Sequence, residues 1–212
     1  MHYKFLKPLL AIFMVAALFL CGCGDITVEP TEFQWPEAGD GSTLDSAVAT
    51  HYVTIEIENY GTIQAELYGY AAPISVKNFV TLAESGFYNG LTFHRIMEGF
   101  MMQGGAPNDN SPKVAPIKGE FASNGLTNNL IHRRGVLSMA RTSQMDSATS
   151  QFFIMHQPAP HLDGDYAAFG LVTEGMDVVD RICTEAQPYN NNGGIAAADQ
   201  PVIKSITVEL AK

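Results

Sequence analysis

The sequence predicts a mainly β domain with two short helices, in which the strands form a barrel or a sandwich covered by the helices. Two observations lead to this prediction. Two runs of alternating apolar and polar residues flank a glycine-containing connection at 59–62, which is typical of a β-hairpin. Beyond them, short apolar runs alternate with polar stretches, and only two segments have helical spacing.

The first elements are the two strands of the hairpin, predicted at 53–57 and 63–67 because every second residue there is apolar. A helix is predicted to begin at Pro73, where the missing N–H costs nothing, and to stop at Gly86. Its apolar residues lie on one stripe: Val76, Phe79, Val80 and Ala83.

The later elements are mostly short strands. Residues 104–134 are polar and rich in Asn, Pro and Gly, which predicts long loops. Met176, Val179 and Ile182 have the spacing of a second helix. Apolar runs or alternation predict strands at 92–96, 100–103, 136–140, 151–155, 168–172 and 206–210.

The N-terminus has the pattern of a secretory signal peptide. Lys4 and Lys7 precede an unbroken apolar run from Leu9 to Leu20. As a helix this run would rise about 18 Å, short of the roughly 30 Å hydrocarbon core of a bilayer. We therefore predict a removable signal at 1–22 and favour it over a permanent membrane span or a buried core helix.

The signal ends in Leu20-Cys21-Gly22-Cys23, which resembles the lipobox of bacterial lipoproteins. This resemblance implies cleavage before Cys23 and lipidation of that cysteine, whereas an ordinary signal would give a soluble secreted product. Residues 23–50 are acidic and contain Pro and Gly without sustained periodicity, so we predict a tether between the lipid and the folded domain.

Charge, cysteine count and the absence of certain motifs argue against several classes of function. A formal net charge of −10 disfavours a general nucleic-acid binder. After lipidation only Cys183 would remain as a free thiol, so no internal disulfide is expected. His132, His156 and His161 lack the spacing of a metal site. No nucleophile elbow or phosphate-binding loop occurs either.

Several segments of the predicted domain combine apolar, amide and cationic side chains. By strand alternation Met101 and Gln103 share a face, and so do Gln151 and Phe153. Such a face suits a pocket for an apolar ring with a few fixed hydrogen-bonding groups. The segments are FHRI at 93–96, GFMMQGG at 99–105, LSMAR at 137–141, SQFFI at 150–154 and HLDGDYAAFG at 161–170.

In this order and spacing, these segments resemble the cyclophilin family of peptidyl-prolyl isomerases, over roughly residues 51–211. The resemblance implies a closed eight-stranded antiparallel barrel with a helix over each end, formed by an isomerase domain at 51–212. It also implies that the enzyme accelerates rotation about X–Pro bonds and requires no cofactor and no metal.

The resemblance assigns roles to individual residues. Arg95 matches the catalytic arginine. Gln103 and Gln151 match the polar groups that position the peptide, and Gln103 is placed with Arg95 among the catalytic residues. His161 falls where some members carry Trp, an aromatic that helps to hold the drug cyclosporin. The stretch 139–141 matches the segment whose backbone pairs with the substrate chain. The residues implied to bind the peptide are Phe100, Met101, Met139, Ala140, Arg141, Gln151, Phe153, His161, Leu162 and Tyr166.

We therefore expect a monomeric, lipid-anchored prolyl isomerase on the outer face of a bacterial membrane, which assists the folding of exported proteins. Its partners would be proline-containing segments of those proteins. It would also be attached to the membrane through Cys23, and it is not expected to bind nucleic acid. The alternative is a binding module that holds proline-containing segments and for which turnover is incidental.

Overall fold

The structure, a computed structural model, describes residues 48–212. The predicted signal peptide, the lipidation site at Cys23 and almost all of the predicted tether lie outside the described residues. The predicted isomerase domain at 51–212 lies within them.

Eight strands, two α-helices and three short 3₁₀ helices make up the regular structure of this part of the chain, and every strand predicted from apolar patterning is present. The second helix continues for one turn beyond the predicted Ile182. Neither helix, nor any other in residues 48–212, has the length and apolar character needed to cross a membrane. In chain order the elements are β1 His51–Ile57, β2 Gly61–Leu67, α1 Pro73–Glu84, β3 Phe93–Met97, β4 Met101–Gly104, β5 Val136–Met139, β6 Phe152–Met155, β7 Ala168–Glu174, α2 Met176–Glu185 and β8 Ile203–Leu210.

All eight strands belong to one antiparallel sheet with the order β3-β4-β6-β5-β7-β2-β1-β8. The sheet curls into an open half-barrel, so the expected closed barrel is wrong. Between its two edge strands there is a bridge from Thr92 to Val202 but no ladder. The outer edge of β3 pairs instead with a turn, since the Ile96 N–H donates to the Gly193 carbonyl at 2.8 Å.

One face of the sheet packs with α1 around an aromatic core. Phe79 of α1 packs edge-on against Phe152 of β6, with ring centroids 5.2 Å apart. Along β6 the side chains alternate: Phe152 and Ile154 enter this core, whereas Phe153 and Met155 enter a smaller cluster on the other face. The smaller cluster forms the floor of the groove described below.

A buried carboxylate caps the N-terminus of α1. Ala72, the residue before the helix, supplies no capping side chain. Glu120, 3% exposed, instead accepts hydrogen bonds from the backbone N–H groups of Ile74 and Ser75 at 2.9 and 2.7 Å. It also accepts one from the Ser75 hydroxyl at 2.6 Å. A loop residue far along the chain thus accepts hydrogen bonds from first-turn N–H groups that have no acceptor within the helix.

The thiol of Cys183 is packed inside the domain and is not expected to react in the folded protein. It is 2% exposed, and burial raises its pKa to about 12, so the reactive thiolate is scarce at neutral pH. Iodoacetamide labelling followed by peptide mass spectrometry should leave Cys183 unmodified in buffer and modify it fully in denaturant. Rapid labelling of the native protein would contradict this packing.

Candidate active site

A groove opens on the face of the sheet opposite the aromatic core, above the smaller cluster of β6. It brings together residues from all five segments singled out in the sequence. Nine of the predicted site residues line it: Arg95, Phe100, Met101, Gln103, Ala140, Arg141, Phe153, Leu162 and Tyr166.

Strand register explains why these side chains meet. Arg95 on β3 lies opposite Gln103 on β4, and Gln103 lies opposite Phe153 on β6. Residues directly opposite one another in an antiparallel pair project to the same face. A cation, an amide and an aromatic ring therefore form one row across three neighbouring strands.

The polar end of this row is a directed chain of hydrogen bonds. The Arg95 Nη1 donates to Gln103 Oε1 at 3.2 Å, and Gln103 Nε2 donates to Gln151 Oε1 at 2.9 Å. On the other side, Arg95 Nε donates to the Asn192 carbonyl at 2.8 Å. Met97 and Met101 offer only weakly accepting sulfurs. The guanidinium is thus oriented by two strong acceptors and retains donors for a ligand.

The apolar end of the groove is a slot beside Arg95. Met101 and Phe153 form its floor and are almost fully buried, while Phe100 is half-buried at the rim. His161 is exposed and stacks on Phe100, with ring centroids 5.7 Å apart and planes inclined by 29°. It therefore supports the wall from outside and does not line the groove.

Behind the slot lies a buried histidine. His132 stacks on Phe153 at 6.0 Å, and its Nδ1 and Nε2 lie 2.9 Å from Asp163 Oδ1 and 3.0 Å from Ser138 Oγ. Burial lowers the pKa of His132, and Asp163 opposes this shift. The ring is thus fixed at both nitrogens and supports Phe153. The sequence showed this histidine only as an unsupported metal-ligand candidate.

Two predicted residues contribute differently from the rest. The Met139 side chain is 1% exposed and belongs to the aromatic core, and its N–H donates to the Ala167 carbonyl. The Ala140 N–H is likewise used, by the carbonyl of Gln151. Pairing of 139–141 with a peptide backbone stays a prediction, and it would have to use other groups than these two.

The turn that holds Arg95 lies at 191–194, where the sequence Asn-Asn-Gly-Gly is itself a turn signal. Gly193 has φ +83°, and a Cβ there would lie 2.7 Å from the Ile96 carbonyl oxygen, so only glycine fits. This close approach brings the Asn192 carbonyl to Arg95. The Asn-Gly pair in the sequence was the available signal, but nothing local showed which strand the turn contacts.

The arrangement defines a class of site: a groove that accepts an apolar ring and presents a fixed cation beside it. Within residues 48–212 no group of three or more His, Cys, Asp or Glu side chains is placed to bind a metal ion. A peptide bearing a compact ring fits these features, because the slot can hold the ring while the guanidinium addresses the adjoining backbone.

Comparison with known proteins identifies the family. Residues 52–208 match the model described as cyclophilin type peptidyl-prolyl cis-trans isomerase/CLD. A peptidyl-prolyl cis-trans isomerase of Acinetobacter baylyi is 44% identical over 179 residues, which cover 80% of this chain and 92% of that protein. Peptidyl-prolyl cis-trans isomerase B of Escherichia coli is 39% identical over 161 residues, covering 71% and 95%.

Solved structures agree. A cyclophilin-type isomerase of Cryptosporidium parvum, crystallised in the presence of the dipeptide Ala-Pro, has 29% identity and a TM-score of 0.64. The match covers 76% of this chain and 99% of that one. The chain therefore belongs to the cyclophilin-type peptidyl-prolyl cis-trans isomerases, and its enzymatic activity is the cis–trans isomerisation of X–Pro peptide bonds.

Proposed function

We propose that this isomerase acts on proline-containing segments of exported or surface proteins and that Arg95 lowers the barrier to rotation. One observation carries the mechanism: the guanidinium of Arg95 and the apolar slot of Phe100, Met101 and Phe153 line the same groove. A proline ring held in the slot would place its imide bond beside the cation.

The chemistry follows from the electronic structure of the imide. Amide resonance holds the X–Pro bond planar with a barrier of about 18–20 kcal/mol. In the twisted transition state resonance is lost, and the proline nitrogen becomes pyramidal and regains a lone pair. A donor directed at this nitrogen binds the twisted state better than the planar one, which is the condition for catalysis. No covalent bond forms or breaks in this rotation.

Arg95 suits this role because its guanidinium is permanently charged and rigid. Gln103 assists by accepting from Arg95 and donating to Gln151, so the amide cannot turn without losing a bond. A preorganised donor pays no reorganisation energy at the moment of reaction.

The test measures exchange between cis and trans forms of a short X–Pro peptide by NMR, with the full chain and with Arg95→Ala. We expect acceleration by the wild type and its near-complete loss in the variant. An Arg181→Ala variant, outside the groove, should match the wild type. Equal rates for wild type and Arg95→Ala would refute the role of Arg95. Saturable binding without acceleration would favour a binding module.

We also propose that the protein is a lipoprotein of the bacterial envelope, with residues 1–22 as signal, 23–50 as tether and 51–212 as enzyme. The apolar run and the Cys23 context support this assignment. Several acyl chains on one residue would anchor it stably, where a single chain is marginal. The acidic body, in a chain of net charge −10, would be repelled by anionic headgroups.

Replacing Cys23 is expected to release the protein from the membrane. In the native bacterial host, Cys23→Ser should move the protein from the detergent phase to the aqueous phase in Triton X-114 partitioning. Cys21→Ser is the matched control and should remain in the detergent phase. Mass spectrometry of the mature wild type should find Cys23 at the N-terminus with added acyl mass. A wild-type protein in the aqueous phase would disprove the anchor.

A further inference from the structure

A second cation lies in the groove and has no part in the mechanism above. Arg141 follows β5 and lines the same groove as Arg95. Its Cζ lies 4.6 Å from the ring centroid of Tyr166 and 4.9 Å from that of Phe121. The guanidinium is thus held between two aromatic faces, an arrangement that fixes its position.

Its hydrogen bonds hold the guanidinium without neutralising it. Nε donates to the backbone carbonyl of Asp165 at 2.8 Å, and Nη1 donates to that of Thr142 at 2.9 Å. Within residues 48–212, Nη2 has no hydrogen-bond partner. An arginine carries five N–H donors in a planar fork. Arg141 therefore keeps a full charge and unused donors at the edge of the slot.

The charges around the groove reinforce this point. Neither Arg95 nor Arg141 forms an ion pair within the described part of the chain, whereas Arg134 pairs with Asp180 at 2.7 Å and Lys204 with Glu56 at 2.7 Å. Of the two acidic residues beside the groove, Asp163 is bonded to His132, and Asp165 contacts Arg141 through its backbone carbonyl and is exposed. No carboxylate lines the groove.

We propose that Arg141 selects peptide segments with an acidic residue beside the proline, a preference that rests on the proposed isomerase function. Arg95 addresses the imide, while Arg141 offers a bidentate site for a neighbouring Asp or Glu carboxylate. A concave site lined by charges of one sign concentrates oppositely charged ligands, even in a chain of net charge −10. A lysine in the same place meets two uncompensated cations.

The test compares peptides that differ only in the residue immediately before or immediately after proline, which is Glu, Gln or Lys. For the wild type, kcat/KM for Glu should exceed that for Lys by about 3- to 10-fold at one or both positions, the range of partly exposed charge pairs. Dissociation constants from NMR titration of the wild type should follow the same order.

In Arg141→Met, which keeps an apolar stem between the two rings, the Glu-to-Lys ratio should fall towards one. Arg141→Lys should restore part of it. The matched control is Arg181→Met, because Arg181 also lies over a tyrosine, at 4.9 Å from Tyr60, and donates to backbone carbonyls, yet lies outside the groove. Its ratio should equal that of the wild type.

The outcomes separate the two proposals. A wild type that accelerates all peptides with a Glu-to-Lys ratio near one overturns the acidic preference and leaves the isomerase mechanism intact. A ratio that persists unchanged in Arg141→Met shows that another group selects the charge, and it also overturns the assignment. No acceleration of any peptide overturns the isomerase function, and the preference falls with it.

Discussion

The Arg95→Ala variant is expected to lose about 10²- to 10³-fold in kcat, the loss typical when one preorganised donor to a developing charge is removed. The peptide should still bind, because the slot of Phe100, Met101 and Phe153 is unchanged, so KM should move much less than kcat. An interaction present only in the transition state has this signature. NMR exchange spectroscopy over a range of peptide concentrations measures both constants.

Arg95→Lys is the matched control for charge. A lysine keeps the positive charge but cannot hold the Asn192 carbonyl and Gln103 at once while presenting a further planar donor. We expect it to recover a minor part of the lost rate. Full recovery would show that charge alone suffices and that the fork geometry is unimportant. A rise in KM equal to the fall in kcat/KM would place Arg95 in ground-state binding.

Glu120→Ala is expected to destabilise the domain by about 2–4 kcal/mol, because it leaves buried donors at the start of α1 without an acceptor. Two backbone N–H groups and the Ser75 hydroxyl lose their partner. In a domain of this size such a loss lowers Tm by roughly 4–16 °C. Thermal unfolding followed by circular dichroism checks this value.

Ser75→Ala is the control for Glu120→Ala, since it removes the hydroxyl alone and should cost about 1 kcal/mol of stability.

The pH dependence of stability adds a second readout for Glu120. Burial raises the pKa of Glu120, and hydrogen bonds from Ser75 and Ile74 oppose the rise. Because the pKa is raised in the folded state, the stability that Glu120 contributes is greatest below the ordinary titration range of glutamate. It is lost as pH rises through the raised pKa. The difference in unfolding free energy between wild type and Glu120→Ala should therefore shrink as pH rises. A difference that grows with pH would contradict it.

Much of the fold follows from local patterning. Alternation of apolar residues located the strands, and Pro73 and Gly86 marked the limits of α1 closely. Two positions in β6 show why the pattern is informative: Phe152 and Phe153 are neighbours in sequence but lie on opposite faces of the sheet. Alternation within each strand places Gln103 and Phe153 on defined faces, and the pairing of β4 with β6 puts these two side chains on the same one.

Other features depend on contacts between distant segments and leave little local trace. The closed barrel came from family resemblance, whereas the edge of β3 is taken by the turn around Gly193. Glu120 resembles any surface glutamate until its position opposite the first turn of α1 is known. The support of Phe153 by His132 likewise requires the loop before β5 to fold under the groove.

The turn around Gly193 has a double consequence. Exposed sheet edges invite other chains to add strands, and proteins protect them with covering segments. Here the covering segment of β3 also supplies the carbonyl that orients Arg95. Under the proposed role of Arg95, loosening of this turn would impair turnover and would also expose the edge to intermolecular strand addition. A few residues of backbone would then serve both resistance to aggregation and catalysis.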